Sequence, residues 1–410
     1  MVRMRIVHTS DWHLGRTLHG ADLTSAHEAY LDHLVDLVAE ENVDAVLVAG
    51  DVFDRAIPPA SALELLRDAL GRLTSRTRVI LSPGNHDSAV RLGLTASQLT
   101  DRLSIRARVE RVGEPVVVPD RDGGPGAYVY ALPYLDPDLA REPLADGPVS
   151  EDAPVLPARS HSGVLGAAMS RVGADLAARR AADGARVPAV VGAHAFVAGG
   201  AVSDSERDIR VGGVDVVPAG VLVDPDVAAR ADYVALGHLH GAQEVRAVSD
   251  DGTPVPMRYS GSPVAFSFSE ENHVKSSVIV DLSGGSVSAR LVPAPVVRGL
   301  RTIEGTVGDL LSGRLDDAAD SWLRAIVTDA ARPERMHARL KERFPHLLAL
   351  AHEPAGALPR TQSRAVTDAS DPVDVVADFV GDAGGTPVTP EELAVVRDAV
   401  ESAQRRTAAR

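Results

Sequence analysis

The sequence predicts an α/β fold, in which helices pack against a mainly parallel sheet. Within the first ~90 residues, short apolar strands alternate with helical patterns in the order β-α-β-α-β. Further short β patterns follow along the chain. Aromatic residues make up only 3% of the sequence, so we expect a core built mostly from Val, Leu and Ala.

The N-terminal elements follow from the spacing of their apolar residues. Apolar side chains recur at helical spacing between Ala26 and Val38, and a second helix opens at Pro58-Pro59. The strands flanking these helices are short, apolar and ended by polar or glycine residues. They are Ile6-Val7, Ala45–Val48 and Val79–Leu81.

The later sequence predicts further strands and three subdivisions. Short β segments between Val109 and Tyr134 precede an Ala- and Arg-rich stretch, 140–186, which is predicted to be an inserted helical or partly mobile segment. Strands then return at 187–191, 233–236, 257–260 and 277–282. Pro293-Ala294-Pro295 is a plausible hinge before strands at 300–307, 322–328 and 347–352 and a helix at 333–344. We therefore expect a first domain over 1–288, a small α+β domain over 296–360 and a tail over 361–410.

Composition excludes several classes of protein. The 410 residues carry a formal net charge of −15, which argues against a protein that coats nucleic acid or a membrane surface with basic residues. The absence of cysteine excludes disulfides, cysteine-ligated metals and cysteine nucleophiles. No apolar run is long enough to span a membrane, and the start lacks the pattern of a signal peptide, so we expect a cytoplasmic protein without membrane contact.

Five short polar motifs each follow an apolar strand. In open α/β sheets ligands bind beyond the carboxyl ends of strands, so these motifs are predicted to converge at one edge. Asp, His and Asn donors suit manganese, iron or zinc, and two such ions form a clamp for displacement at phosphorus. The motifs are Asp11-Trp12-His13, Gly50-Asp51-Val52-Phe53-Asp54, Gly84-Asn85-His86-Asp87, Gly192-Ala193-His194 and Gly237-His238-Leu239-His240. The candidate metal ligands in them are Asp11, His13, Asp51, Asn85, His194, His238 and His240.

Each motif alone is equally consistent with a turn, a cap or a satisfied core histidine, and only their combination favours a metal site. Asp54 is predicted either to support the site or to cap a turn. His8 lies on the strand side of its motif, which favours a structural role. The histidines outside any motif are predicted to lie at the surface: His19, His27, His33, His161 and His273.

The five motifs in this order resemble the calcineurin-like metallophosphoesterases. The longer strings His8–Gly15, Gly50–Asp54, Ala235–His240 and Tyr259–Pro263 resemble more narrowly the SbcD family, the nuclease subunits of bacterial SbcC–SbcD complexes. This resemblance covers residues ~1–285 well and implies a layered β-sandwich flanked by helices, with residues 296–360 as a capping domain.

The resemblance also implies roles for individual residues. One metal would be held by Asp11, His13 and His240, the other by Asn85, His194 and His238, with Asp51 as the bridge and a hydroxide between the metals as the nucleophile. His86 would be a catalytic residue that faces the phosphate, and Asp87 a second catalytic candidate that orients His86.

The implied activity is that of a manganese-dependent (Mn2+) DNA nuclease. Members of this family cleave duplex ends exonucleolytically and single strands or hairpins endonucleolytically, in DNA repair, recombination and replication. The implied partners are DNA, an SbcC-like ATPase subunit docked on the C-terminal region, and a second copy of the chain, giving a homodimer within a heterotetramer.

Two alternatives remain open from the sequence: a hydrolase of small phosphodiesters, and a scaffold subunit without catalysis. The generic motifs do not separate the first from a nuclease. The second receives no support because a metal-binding residue type is present at all seven ligand positions.

Two further features carry weaker predictions. Arginines spaced three or four apart form one stripe on the predicted helix at 333–344, which is either a DNA-backbone contact or a solvated face. They are Arg332, Arg335, Arg339 and Arg343. Short amphipathic segments at 373–380 and 391–403 predict partner-binding helices or a partly disordered tail.

Overall fold

A computed structural model describes most of the chain in defined ranges. These are residues 3–94, 101–146, 155–183, 186–206, 216–223, 226, 228–249, 252–283, 285–354, 373–377, 380 and 388–408. Of the helices in these ranges, none combines the length and apolar character that a bilayer crossing requires.

The described residues form seventeen strands and eight α-helices. The strands are β1 Arg3–Thr9, β2 Thr17–Leu18, β3 Ala21–Asp22, β4 Ala45–Ala49, β5 Arg78–Ser82, β6 Leu103–Ile105, β7 Val116–Pro119, β8 Pro125–Ala131, β9 Ala189–His194, β10 Tyr233–Gly237, β11 Gln243–Val245, β12 Met257–Tyr259, β13 Ser276–Ser283, β14 Ser286–Pro293, β15 Leu300–Gly305, β16 Trp322–Val327 and β17 Leu347–His352. The helices are α1 Thr24–Glu40, α2 Ala60–Thr74, α3 Ala89–Gly93, α4 Pro137–Ala140, α5 His161–Asp183, α6 Val307–Leu310, α7 Met336–Arg343 and α8 Pro390–Ala408.

Twelve of the described strands form two six-stranded sheets. The first has the order β14-β13-β1-β4-β5-β6, and β1, β4, β5 and β6 run parallel in it. The second has the order β11-β12-β10-β9-β8-β7, with β12, β10, β9 and β8 parallel. Antiparallel pairing joins β14 and β13 at one edge of the first sheet, and β11 and β7 to their neighbours at the two edges of the second.

The buried side chains show that these sheets are stacked between helices. One core cluster joins the inner faces of the sheets, for example Leu47 of β4 and Val190 of β9. A second cluster packs the first sheet against α1 and α2, and a third packs the second sheet against α5. The predicted α/β fold, a layered β-sandwich flanked by helices, is therefore confirmed.

The predicted N-terminal elements are found with small changes at their ends. The helix predicted from Ala26 to Val38 runs over Thr24–Glu40, and Pro59 is the N-cap of α2. Each of the first three predicted strands is longer than its apolar run because pairing extends it by one or more residues.

The chain divides into two compact units. The first contains residues 1–302, 317–324 and 344–349, and the second contains residues 303–316, 325–343 and 350–410. Strands β15, β16 and β17 form a three-stranded sheet in that order. The domain limits at 288, 296 and 360 remain predictions. Much of the predicted tail, including residues 361–372 and 381–387, lies outside the described residues.

Candidate metal centre

The seven predicted ligands all lie at the carboxyl ends of parallel strands. In the first sheet they follow β1, β4 and β5, and in the second they end β9 or follow β10. They are Asp11, His13, Asp51, Asn85, His194, His238 and His240. All but Asn85 are buried, at 4% exposure or less. The predicted convergence at strand ends is therefore what the fold produces.

Four of these residues hold the backbone in the left-handed region, which side chains other than glycine rarely adopt. The φ angles are 54° at Asp11, 45° at His13, 50° at Asp51 and 105° at His238. Such conformations cost free energy and persist where the surrounding structure enforces them, often at functional sites.

Two glycines allow the strand-end loops to approach closely. A methyl group on Gly84 would overlap the carboxylate of Asp51, and one on Gly50 would overlap the ring of His194. Gly50 also has a φ of 90°, where only glycine is unstrained. These close contacts explain why the two positions are occupied by glycine.

A first group of ligand atoms comes from Asp11, His13 and His240, within 4.8 Å of one another. The Nε2 atoms of His13 and His240 lie 3.1 Å apart. Burial holds the pKa of His13 well below its usual value, which favours the neutral ring with a lone pair on one nitrogen.

A second group comes from Asp11, Asp51 and His194, also within 4.8 Å of one another. Oδ2 of Asp51 lies 3.3 Å from Nε2 of His194 and 3.6 Å from Nε2 of His13. Asp51, a member of the second group, therefore also approaches His13 of the first group, and Asp11 belongs to both groups. Although burial alone raises the pKa of Asp51, the neighbouring histidines hold it well below its usual value.

Asn85 and His238 border the second group. Oδ1 of Asn85 lies 2.9 Å from Nε2 of His194, and the ring of His238 lies 5.3 Å from that of His194, centroid to centroid. The backbone N–H of His238 donates to both carboxylate oxygens of Asp11 at 3.1 Å.

The donor set fits divalent cations. Nδ1 of His194 lies 3.0 Å from the carbonyl oxygen of Ala49 and donates to it, so Nε2 is the nitrogen that faces Asp51 and Asn85. Burial alone would lower the pKa of His194, but Asp51 raises it to about 9. Without an ion, this cluster of acceptor atoms retains a proton, and a bound cation would take the place of that proton. Ligand sets of imidazole nitrogen and carboxylate oxygen suit manganese, iron or zinc.

His86 lies beside the first group. Its ring is 4.7 Å from the ring of His13, and its Nδ1 is 2.8 Å from the backbone oxygen of Asp54, to which it donates. Its ligand atoms, with those of His13 and Asp54, form a third cluster within 4.8 Å. Its side chain is half-buried, so it remains open to a bound molecule.

Asp87 has different partners from the one that the sequence predicts. Its carboxylate accepts hydrogen bonds from the backbone N–H groups of Val52, Phe53 and Gly84, at 2.9 to 3.0 Å. The acceptor for His86 is instead the backbone of Asp54. Burial, reinforced by Asp51, raises the pKa of Asp87 to about 7. We therefore propose that Asp87 joins the loops after β4 and β5 rather than orienting His86.

The sequence prediction missed a buried polar network around His240. It contains Ser205, Glu270 and Lys275, all at 8% exposure or less. One signal was available: Lys275 is one of two lysines in a chain whose other basic residues are arginine. A compact ammonium fits a small buried pocket of acceptors better than a planar guanidinium does.

Three histidines outside the site are buried: one was predicted to be structural and two were predicted to lie at the surface. His8 is buried and joins the two sheets, with Nδ1 3.1 Å from the Tyr233 hydroxyl and Nε2 3.1 Å from the Leu236 carbonyl oxygen. This is a structural role. The expectation of surface positions was wrong for His27 and His161, which are 1% and 5% exposed because each lies on the inner face of its helix.

The arginine stripe is only partly helical. Helix α7 begins at Met336, so Arg332 and Arg335 precede it, and Arg335 has a φ of 52°, which a helix does not allow. Arg339 is exposed on α7, and Arg343 forms an ion pair with Asp316. The prediction of one stripe over four arginines on a helix was therefore wrong, and a DNA contact by these residues remains a proposal.

Comparisons with known proteins agree with this geometry. The family model described as calcineurin-like phosphoesterase matches residues 4–242. The chain is 38% identical over 284 residues to the SbcD subunit of the SbcCD nuclease from Bacillus subtilis (strain 168), covering 69% of this chain and 67% of that protein.

Two solved structures superpose only distantly. The protein TT1561 of Thermus thermophilus matches with a TM-score of 0.37 and 11% identity, covering 71% of this chain and 99% of that chain. GAP50, the anchor in the inner membrane complex of Plasmodium, matches with a TM-score of 0.40 and 11% identity, covering 87% and 98%. These scores are too low to bear on function.

Proposed function

The chain belongs to the calcineurin-like phosphoesterases, and from this membership we propose that it is a metal-dependent DNA nuclease that hydrolyses phosphodiester bonds. The observation that supports the proposal best is the position of Asp51, whose Oδ2 lies 3.3 Å from Nε2 of His194 and 3.6 Å from Nε2 of His13. One carboxylate between two sites is the arrangement that a two-metal phosphoesterase needs.

In this proposal Asp11, His13 and His240 hold one cation, and Asn85, His194 and His238 hold the other. Asp51 contributes to both. Two bound divalent ions, which we propose are Mn2+, would neutralise charge at the phosphoryl group and lower the pKa of a water molecule towards neutrality. The surrounding structure enforces a left-handed backbone at four ligand positions, so these donors are in place before any ion arrives.

We assign His86 the role of contacting the scissile phosphate. Its Nδ1 donates to Asp54, so Nε2 is the nitrogen that meets the substrate. When both ring nitrogens carry a proton, Nε2–H would stabilise charge developing on the phosphoryl oxygens or pass its proton to the leaving 3′ oxygen. The fixed Nδ1 contact orients the ring for either task.

DNA as substrate is supported by the similarity to a nuclease subunit, whose name also places it in a two-component SbcCD assembly. We propose the same partnership here: an SbcC-like ATPase, with a homodimer of this chain inside a heterotetramer active in DNA repair, recombination and replication. A net charge of −15 fits a subunit that shares DNA binding with a partner. A cysteine-free chain also fits a cytoplasmic location.

A substrate comparison tests the proposal. The purified chain with manganese is given linear duplex DNA, hairpin DNA and a small chromogenic phosphodiester, with and without its ATPase partner. We expect cleavage of duplex ends and hairpins. Cleavage of the small diester alone would establish a small-molecule phosphodiesterase instead. Manganese binding without cleavage of any substrate, even with the partner, would indicate a scaffold.

A further inference from the structure

A chain of buried hydrogen bonds reaches the outer nitrogen of His240. Oγ of Ser205 lies 2.5 Å from Nδ1 of His240 and 2.5 Å from Oε1 of Glu270. Nζ of Lys275 contacts Oε2 of Glu270 and also donates to the backbone oxygen of His240 at 3.0 Å and to Oγ of Ser262 at 2.9 Å. Glu270 is 1% exposed and Lys275 is 6% exposed, so solvent does not compete for these contacts.

The chemistry of these groups sets the direction of every bond. A lysine ammonium only donates, and an ionised carboxylate only accepts. The hydroxyl hydrogen of Ser205 therefore points to Glu270, and its oxygen accepts from Nδ1–H of His240. The lone pair of the ring is then on Nε2, the atom that lies 3.1 Å from Nε2 of His13.

The main chain of the same residue is held by the neighbouring segment. Oε1 of Glu206 accepts the backbone N–H of His240 at 2.8 Å, while Oε2 of Glu206 accepts the backbone N–H of Ser203 at 2.6 Å. The segment Ser203–Glu206 thus contacts His240 through both its ring and its backbone, although it is more than 30 positions away in sequence.

We propose that Ser205, Glu270 and Lys275 are positioning residues that keep His240 in the tautomer whose Nε2 binds a metal ion. The inference rests on the proposed function, because it assumes that His240 is a ligand. It adds that the affinity of one of the two sites depends on residues that touch no ion. Loss of such an outer contact typically weakens metal binding about 10- to 100-fold.

The test compares Ser205→Ala with Ser277→Ala. Ser277 is also buried, but its hydroxyl bonds Tyr30 and none of the proposed metal ligands, so its loss is a matched control. Manganese affinity and stoichiometry are measured by calorimetry on the full chain. Thermal unfolding in EDTA and the 15N spectrum of labelled histidines are recorded on the metal-free protein.

We expect Ser205→Ala to weaken one of two manganese sites about 10- to 100-fold, while Ser277→Ala binds as the wild type does. In the histidine spectrum, the His240 ring of Ser205→Ala should show a mixture of the two tautomers. The His240 ring of the wild type should show the Nδ1–H tautomer alone. Equal affinities in the two variants would overturn the inference while leaving the proposed function intact. A wild-type chain that binds no manganese would overturn both.

A second variant covers the case in which Ser205→Ala does not fold. Glu270→Gln keeps the shape of the side chain but can donate to Ser205, which permits the reverse direction of the chain. The same selective weakening of one site supports the inference. Wild-type affinity at both sites in Glu270→Gln overturns it.

Discussion

The backbone N–H of His86 donates a hydrogen bond of 2.9 Å to Oδ1 of Asp51. The residue proposed to contact phosphate is thus anchored by its main chain to the carboxylate proposed to lie between two cations. A side-chain substitution at His86 leaves this anchor in place, so the roles of the two residues are separable by mutation.

His86→Gln is predicted to abolish DNA cleavage while leaving metal binding unchanged. Glutamine cannot supply the imidazole for proton transfer, a contribution worth about 10²- to 10⁴-fold in rate. Cleavage is followed on duplex ends with manganese, and ion binding by calorimetry. Asp51→Asn is the contrasting variant and should weaken both sites. Wild-type cleavage by His86→Gln would refute the assigned role.

Gly84→Ala is predicted to disturb the metal centre from outside the ligand set. The added methyl overlaps the Asp51 carboxylate, which must move away from its position between the ligand groups. We expect weaker manganese binding and a lower melting temperature. Gly71→Ala is the control, since nothing lies within 4 Å of the new methyl on helix α2 and alanine stabilises a helix by about 0.5–1 kcal/mol. Equal manganese affinity in the two variants would contradict the steric argument.

Acid sensitivity is predicted to depend partly on His27. Burial lowers the pKa of His27 from 6.5 to about 4, so the unfolded chain binds more protons than the native protein between these values. The free energy of unfolding therefore falls by up to about 3 kcal/mol as the pH is lowered from above 6.5 to about 4.

His27→Leu places an apolar side chain at this buried position and removes the titrating group. Urea unfolding in EDTA at pH 7 and pH 4 measures the free energy of unfolding of both proteins. We expect the decrease in the free energy of unfolding between pH 7 and pH 4 to be about 3 kcal/mol smaller in the variant. His19→Leu, at an exposed position, should retain the full loss. An undiminished loss in His27→Leu would show that another group is responsible.

DNA binding by the isolated chain is predicted to be weak and strongly salt-dependent, since the net charge is −15. If Arg339 contacts the DNA backbone, Arg339→Gln should lower affinity and reduce the salt slope by about 1. Arg111→Gln, which removes an exposed arginine paired with Glu114, is the control. Fluorescence anisotropy over a salt series measures both quantities. Tight binding at high salt would contradict the prediction.

Local sequence was sufficient to predict where the candidate metal ligands come together. Each motif follows a strand whose apolar run is visible in the sequence, and the carboxyl ends of parallel strands meet at one edge. The fold class and the convergence of Asp11, His13, Asp51 and the later ligands follow from that rule, together with the resemblance of the motifs. These features depend on short-range patterns, which a single sequence contains.

Only the tertiary structure decided which groups complete the site. The hydrogen bond between Asp87 and the loop after β4 joins residues 35 apart in sequence. The hydrogen bond from Ser205 to Glu270 joins residues 65 apart. The burial of His27 and of Lys275 likewise depends on which segments of the folded chain pack against these side chains. Hydrogen bonds between distant segments leave no periodic signal, because their partners are chosen by how sheets and loops pack rather than by neighbours in sequence.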